Sequence, residues 1–132
     1  MRDLQFTEIS KKLKVYPFPI FDIVVGIKRG GLVPAMLIAH QFDYELRLIS
    51  FNYRDESNDP RYPEPLFLSG SLEDLPKDKK ILLVDDVSVS GKTLEAVKKL
   101  LNGYNVTTFV LKGKADHTLY TDIKECVNWP WK

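Results

Sequence analysis

Two stretches of this chain place unusual residue types at spacings that could do chemistry. The first is Val84-Asp85-Asp86-Val87-Ser88-Val89-Ser90-Gly91-Lys92-Thr93. An apolar run delivers two adjacent carboxylates, and a short polar segment leads through Gly91 into helix-forming sequence. The free N–H groups and positive dipole end of a helix starting there suit a phosphate. Ser90 and Thr93 add hydroxyl donors. Asp85 and Asp86 would repel that phosphate, and suit ribose hydroxyls or a magnesium ion beside it. Together these groups imply a phosphorylated sugar. Gly91-Lys92-Thr93 also copies the end of a Walker A loop, but that motif needs a glycine at position 86, where this chain has Asp86. The plainer alternative is a strand ending in two solvated acids, followed by a hydroxyl N-cap.

The second stretch is Gly26-Ile27-Lys28-Arg29-Gly30-Gly31-Leu32-Val33-Pro34-Ala35. Glycines let backbone N–H groups approach an anion closely. Lys28 and Arg29 supply charge, and a helix starting near Leu32 adds its dipole. Alternatively, Gly30-Gly31 only turns the chain between exposed basic residues.

Both stretches need strands and helices to hold them. Phe21 to Ile27 reads as a buried strand, and Leu32 to Phe42 as a helix apolar nearly all round, with Pro34 tolerated in its first turn. Leu4, Ile9 and Leu13 lie near helical spacing, and Pro17 and Pro19 end that helix. Glu45 to Tyr53 reads as a second strand and Phe67-Leu68 as a short one. Lys80 to Val84 is the clearest strand, with Asp85 and Asp86 following it. Leu94, Val97, Leu100 and Leu101 share one face of the next helix, which Asn102-Gly103 closes. Val106 to Leu111 is another strand, and Ile123 to Trp131 reads as a last strand plus a covering segment. This order implies an α/β fold with a mainly parallel sheet flanked by helices. Ligands in such sheets bind beyond the carboxyl ends of the strands, so both loops belong on one rim.

The chain has 132 residues and a mass of 15.2 kDa, which fits one domain over 1–132. Hydrophobic residues at 44% and charged residues at 28% fit an ordinary globular domain and exclude a disordered or collagen-like one. The net charge of +1 argues against holding nucleic acid by bulk charge. The longest apolar stretch, Leu32 to Ala39, falls far short of the ~20 residues of a membrane span. No signal peptide is visible at the N-terminus. Cys126 is the single cysteine, so no internal disulfide forms. A cytoplasmic protein is expected. His40 and His117 stand isolated, without a metal-binding or catalytic pairing.

The Asp85 to Thr93 string resembles the diphosphate-sugar signature of the type I phosphoribosyltransferases, which bind 5-phosphoribosyl 1-pyrophosphate (PRPP). Gly26 to Ala35 resembles their pyrophosphate loop, especially in bacterial purine-type members. The resemblance runs from about Phe21 to Trp131 and is specific in these two loops. It implies a single-domain, Rossmann-like fold in which Ser88, Val89, Ser90, Gly91, Lys92 and Thr93 hold the 5-phosphate. It assigns Lys28, Arg29 and Gly30 to the pyrophosphate. It gives Asp85 and Asp86 to the ribose hydroxyls, as the catalytic acids, and to Mg2+ directly or through water. It also implies transfer of the phosphoribosyl group to a nucleobase, a homodimer or higher oligomer, and a flexible lid. Arg54 to Pro65 matches the lid, with Tyr53, Arg54 and Arg61 as ligand contacts; a plain connection is the alternative. Lys112, with Lys114 nearby, matches the lysine that contacts a 6-oxopurine. The tail at 123–132 matches the base-side segment, with Val127 and Trp129 as base contacts; the alternative places Trp129 and Trp131 in the core or at an interface.

Two departures bear on the base. Val89 stands where 6-oxopurine enzymes of this family carry an aspartate that exchanges a proton with the base. Cys126 aligns with their stacking aromatic. A PRPP-binding regulatory protein with little transferase activity is therefore the second reading. A nucleotide-binding module of unrelated function is the third.

Overall fold

The computed structural model describes residues 1–52, 66–70, 72 and 74–132. The expected lid, with Tyr53, Arg54 and Arg61, lies outside them. The chain opens with a two-residue strand β1 (Arg2–Asp3) and helix α1 (Phe6–Val15). Glu8 at the third helical position receives the backbone N–H of Gln5 at 2.7 Å, half of a capping box. Ile9 and Leu13, one turn apart, are fully buried, so this short helix is held by packing.

Strand β2 (Ile23–Lys28), helix α2 (Leu32–Phe42) and strand β3 (Glu45–Asn52) follow. Next come β4 (Leu66–Gly70), β5 (Lys80–Ser88), α3 (Lys92–Leu100), β6 (Asn105–Gly113), β7 (His117–Thr118) and β8 (Val127–Asn128). Six strands form one sheet in the order β4-β3-β2-β5-β6-β7, parallel except for β3 against β4. The chain leaves β2 towards β3 on one side and leaves β5 towards β6 on the other. The boundary between β2 and β5 is thus a topological switch point, the place where sheets of this kind bind ligands beyond their strand ends.

Alternation along the strands divides the interior into two cores. Leu82 and Val84 of β5 pack with α1, α2 and Phe109, while Ile81 and Leu83 pack with Leu94 and Val97 of α3. α2 is apolar nearly all round because it lies between the sheet and α1; Ala35, Ile38 and Ala39 are buried there with Ile9 and Leu13.

Three expectations need correction. β5 runs on through Asp85 and Asp86 to Ser88, because β6 pairs with it as far as Ser88↔Gly113. Asp85 and Asp86 therefore belong to the strand. α3 ends on Leu101, whose N–H donates to the Val97 and Lys98 carbonyls; Gly103, with φ 93°, turns the chain after that cap. The last strand, β8, stands outside the main sheet and pairs in parallel with β1 through Arg2↔Val127 and Asp3↔Asn128. No described helix is long and apolar enough to cross a membrane.

Candidate functional site

The carboxyl ends of β2, β5 and β6 carry the candidate residues to one rim. Register fixes this arrangement: Gly26 lies beside Val84, and Val87 beside Lys112. The loop leaving β2 packs directly onto β5. A Cβ on Gly30 would stand 2.3 Å from the Asp86 carboxyl, and one on Gly31 would stand 2.5 Å from the Val84 carbonyl oxygen. Only glycine allows that approach, so Gly30-Gly31 does more than turn the chain. Lys28 is half-buried and Arg29 exposed on either side of a cis peptide bond.

Asp85 and Asp86 occupy different environments. Asp86 is buried, its Oδ1 accepting the Val87 N–H at 2.7 Å. Its Oδ2 lies 2.8 Å from the Lys132 ammonium, the one partner of that oxygen among the described residues. Asp85 is half-buried, and its Oδ1 accepts the Asp86 N–H at 2.8 Å. Burial pushes its carboxyl well above the usual carboxylate range, and the neighbouring Asp86 charge adds to the shift; the Asp86 N–H and the Lys132 charge oppose it. A cation arriving here relieves both the burial cost and the repulsion. No cluster of three or more metal-ligating side chains occurs among the described residues. The protein therefore offers two carboxylates, which fits magnesium, an ion that keeps waters and takes substrate oxygens.

The loop after β5 leads into α3 as expected. Gly91 is the N-cap of α3, with φ 82°, and the Lys92 N–H donates to Ser90 Oγ at 3.3 Å. Val89 and Lys92 are exposed, Thr93 half-buried. Ser88 sits deeper, buried at the end of β5, with its hydroxyl lacking a hydrogen-bond partner among the described residues.

Lys112 stands at the end of β6. Its Nζ donates to the Glu125 carbonyl at 2.7 Å, tying β6 to the tail. A cleft of about 300 Å³ opens beside it, lined by Lys112, Gly113, Thr118, Tyr120, Thr121 and Ile123. Trp129 stands elsewhere: it is 3% exposed, lies in the core with Leu111 and Ile123, and stacks on Trp131 at 5.6 Å. Its place is that of a foundation rather than of an open stacking face. Val127 packs against the same core, and Cys126 is exposed.

Two neighbours were not singled out from the sequence. Lys132 meets Asp86 across the fold, and no local pattern announces such a pairing. Gly113, with φ 113°, packs so tightly on Ser88 that a Cβ would overlap its carbonyl. The Lys112-Gly113 pair at a strand end was the available signal.

A family model described as "Phosphoribosyl transferase domain" matches residues 18–131. The xanthine-guanine phosphoribosyltransferase of Cereibacter sphaeroides is 32% identical over 112 residues, covering 82% of this chain and 64% of the relative. The enzyme of the same name from a Ruegeria species is 29% identical, covering 82% of this chain and 66% of its own length. The chain thus spans about two thirds of the curated relatives it matches. A crystal structure of a purine phosphoribosyltransferase from Pyrococcus horikoshii superposes with a TM-score of 0.72 at 25% identity, covering 99% of this chain and 93% of that one. The Helicobacter pylori xanthine-guanine-hypoxanthine phosphoribosyltransferase shares the fold, with a TM-score of 0.76 at 20% identity, covering 98% and 92% of the two chains.

Proposed function

The chain belongs to the phosphoribosyl transferase domain family, and on that premise we propose that it moves the 5-phosphoribosyl group from PRPP to a purine base, releasing pyrophosphate. One observation carries the reading: Gly30 of the β2 loop touches the carboxyl of Asp86, so two anion-binding loops meet across a pair of acids. PRPP has that layout, with a phosphate, a ribose and a pyrophosphate in sequence.

In this reading the loop from Ser88 to Thr93 and the N-terminus of α3 hold the 5-phosphate. Asp85 and Asp86 accept hydrogen bonds from the ribose hydroxyls and orient C1 towards the base. Lys28, Arg29 and the backbone around Gly30 hold the pyrophosphate. As the bond from C1 to pyrophosphate breaks, positive charge grows on the ribose ring, and the nearby carboxylates stabilise it. A base nitrogen then bonds to C1. Asp85 and Asp86 would hold Mg2+ together with substrate oxygens and water. When bound, the ion offsets the charge of the departing pyrophosphate.

The base lies on the Lys112 side. An ammonium has three donors, of which Glu125 takes one, and a 6-oxo group could accept another. Val89 cannot exchange a proton with the base, so the proton lost from the base nitrogen passes to solvent. The names of the relatives favour xanthine and guanine, and more broadly a purine, as substrates.

Calorimetric titration with PRPP, with and without magnesium, tests the reading, followed by turnover with xanthine, guanine, hypoxanthine and adenine. Micromolar, magnesium-dependent binding and turnover of a 6-oxopurine support it. No binding at millimolar PRPP removes it. Tight binding with no turnover of any base makes the chain a PRPP-binding regulator.

A further inference from the structure

A cation from a distant part of the chain stands at the same rim. Lys132 follows a tail that is fixed at several points. β8 pairs with β1, and Asn128 Nδ2 donates to Asp3 Oδ1 at 3.0 Å. Trp129 is buried in the core, its ring nearly parallel to that of Trp131. The Lys132 N–H then donates to the Trp129 carbonyl at 3.1 Å. The backbone that carries Lys132 is therefore placed, and the side chain spans from there to Asp86.

The two partners are unequally covered. The Asp86 side chain is 9% exposed and that of Lys132 is 54% exposed. The ammonium thus pairs by charge with a buried carboxylate and is itself open to the rim. The Asp86 carboxyl also abuts Gly30, in the loop between Arg29 and Gly31. Asp86 thus meets both the β2 loop and Lys132, so one carboxylate links the ammonium to the loop assigned to the pyrophosphate.

We infer that Lys132 is a pyrophosphate-contacting residue, a third cation beside Lys28 and Arg29, parked on Asp86 until the anion arrives. The inference rests on the proposed PRPP site. A lysine that served only as the counter-ion of Asp86 would act on both ligands, because in that reading Asp86 faces the ribose and helps hold the Mg2+ that meets the pyrophosphate. A lysine that touches the anion acts on pyrophosphate alone. The two roles therefore separate by ligand.

The experiment uses the full chain and its Lys132→Met and Lys132→Arg variants, titrated in magnesium buffer with inorganic pyrophosphate and, separately, with ribose 5-phosphate. Lys132→Met is expected to weaken pyrophosphate about 10-fold or more, the size of one lost charge-assisted hydrogen bond. Ribose 5-phosphate should stay within about twofold, and Lys132→Arg should keep most of the pyrophosphate affinity, since a guanidinium also donates to phosphate. Equal weakening of both ligands overturns the inference in favour of a counter-ion role. Unchanged or tighter pyrophosphate binding overturns it too, the latter because the ammonium would then be an obstacle. If Lys132→Met melts far below the wild-type chain, Lys132→Arg decides alone: pyrophosphate affinity kept supports the contact, and affinity lost overturns it. A wild-type chain that binds ribose 5-phosphate but not pyrophosphate sinks only the Lys132 assignment; one that binds neither ligand sinks the PRPP reading and this inference with it.

Discussion

The strand–loop–helix unit that carries Asp86 and the tail that ends at Lys132 meet at one carboxylate, by opposite routes. Asp85, Asp86, Gly91 and Thr93 lie within a few residues of one another, and a strand–loop–helix unit places them. Lys132 meets Asp86 only because Trp129 is buried and β8 is paired with β1, both contacts between distant parts of the chain. The first region is a local device and the second a tertiary one. Damage to the first should cost ligand binding and chemistry with little loss of fold. Damage to the second should cost stability first.

Asp86→Asn tests that contrast most strongly. It keeps the shape and removes the charge beside the ribose, and kcat/KM should fall about 10³-fold, as when a group that stabilises transition-state charge is lost. Far-UV circular dichroism should be unchanged. A loss under tenfold would move the ribose site elsewhere. Trp129→Ala should instead destabilise the fold by about 3–4 kcal/mol in urea, the cost of emptying a large buried aromatic site. A Trp129→Ala chain of wild-type stability that had lost base affinity alone would return this residue to the base site and erase the contrast.

Gly30→Ala addresses the seam between the loops. The new methyl must displace the Asp86 carboxyl, which it would meet at 2.3 Å. Overpacking of this kind costs about 1–3 kcal/mol, and pyrophosphate affinity should drop with it. Intact affinity would mean that the two loops work independently.

Asp116 gives the smallest effect and lies away from both regions. Its carboxylate accepts the Thr108 N–H at 2.9 Å, and its own N–H donates to Thr108 Oγ1 at 2.8 Å. The Thr108 backbone bond holds its carboxyl below the ordinary range, against a partial burial that raises it. A depressed pKa contributes stability above the unfolded value, and that contribution fades as the pH falls through the folded one. Asp116→Asn should therefore cost about 0.5 kcal/mol at neutral pH, given the exposed site, and flatten the acid limb of the stability curve. An unchanged acid limb would show that the clasp adds nothing.

Much of this layout was legible in the residues. Ile81 to Val84 announced a buried strand, the Gly30-Gly31 and Gly91 breaks marked both loops, and Leu94 with Val97 gave the face of α3. Two adjacent acids between such loops already implied a phosphorylated sugar. Two charged residues read as the end of β5 in the sequence, whereas pairing with β6 carries the strand through Asp85 and Asp86. The tail was open in a related way: an aromatic suits a purine face and a core alike, and nothing local reveals which of the two places Trp129 takes.

The sequence alone determined the two glycine-marked loops and the acids between them, because the signals for a turn into a helix lie in contiguous residues. Only the tertiary structure decided that the loops touch at Gly30 and Asp86, that Trp129 belongs to the core, and that Lys132 is the partner of Asp86. Those contacts join residues far apart in the chain. They depend on how the whole sheet and both cores close, and no spacing within a single stretch encodes that.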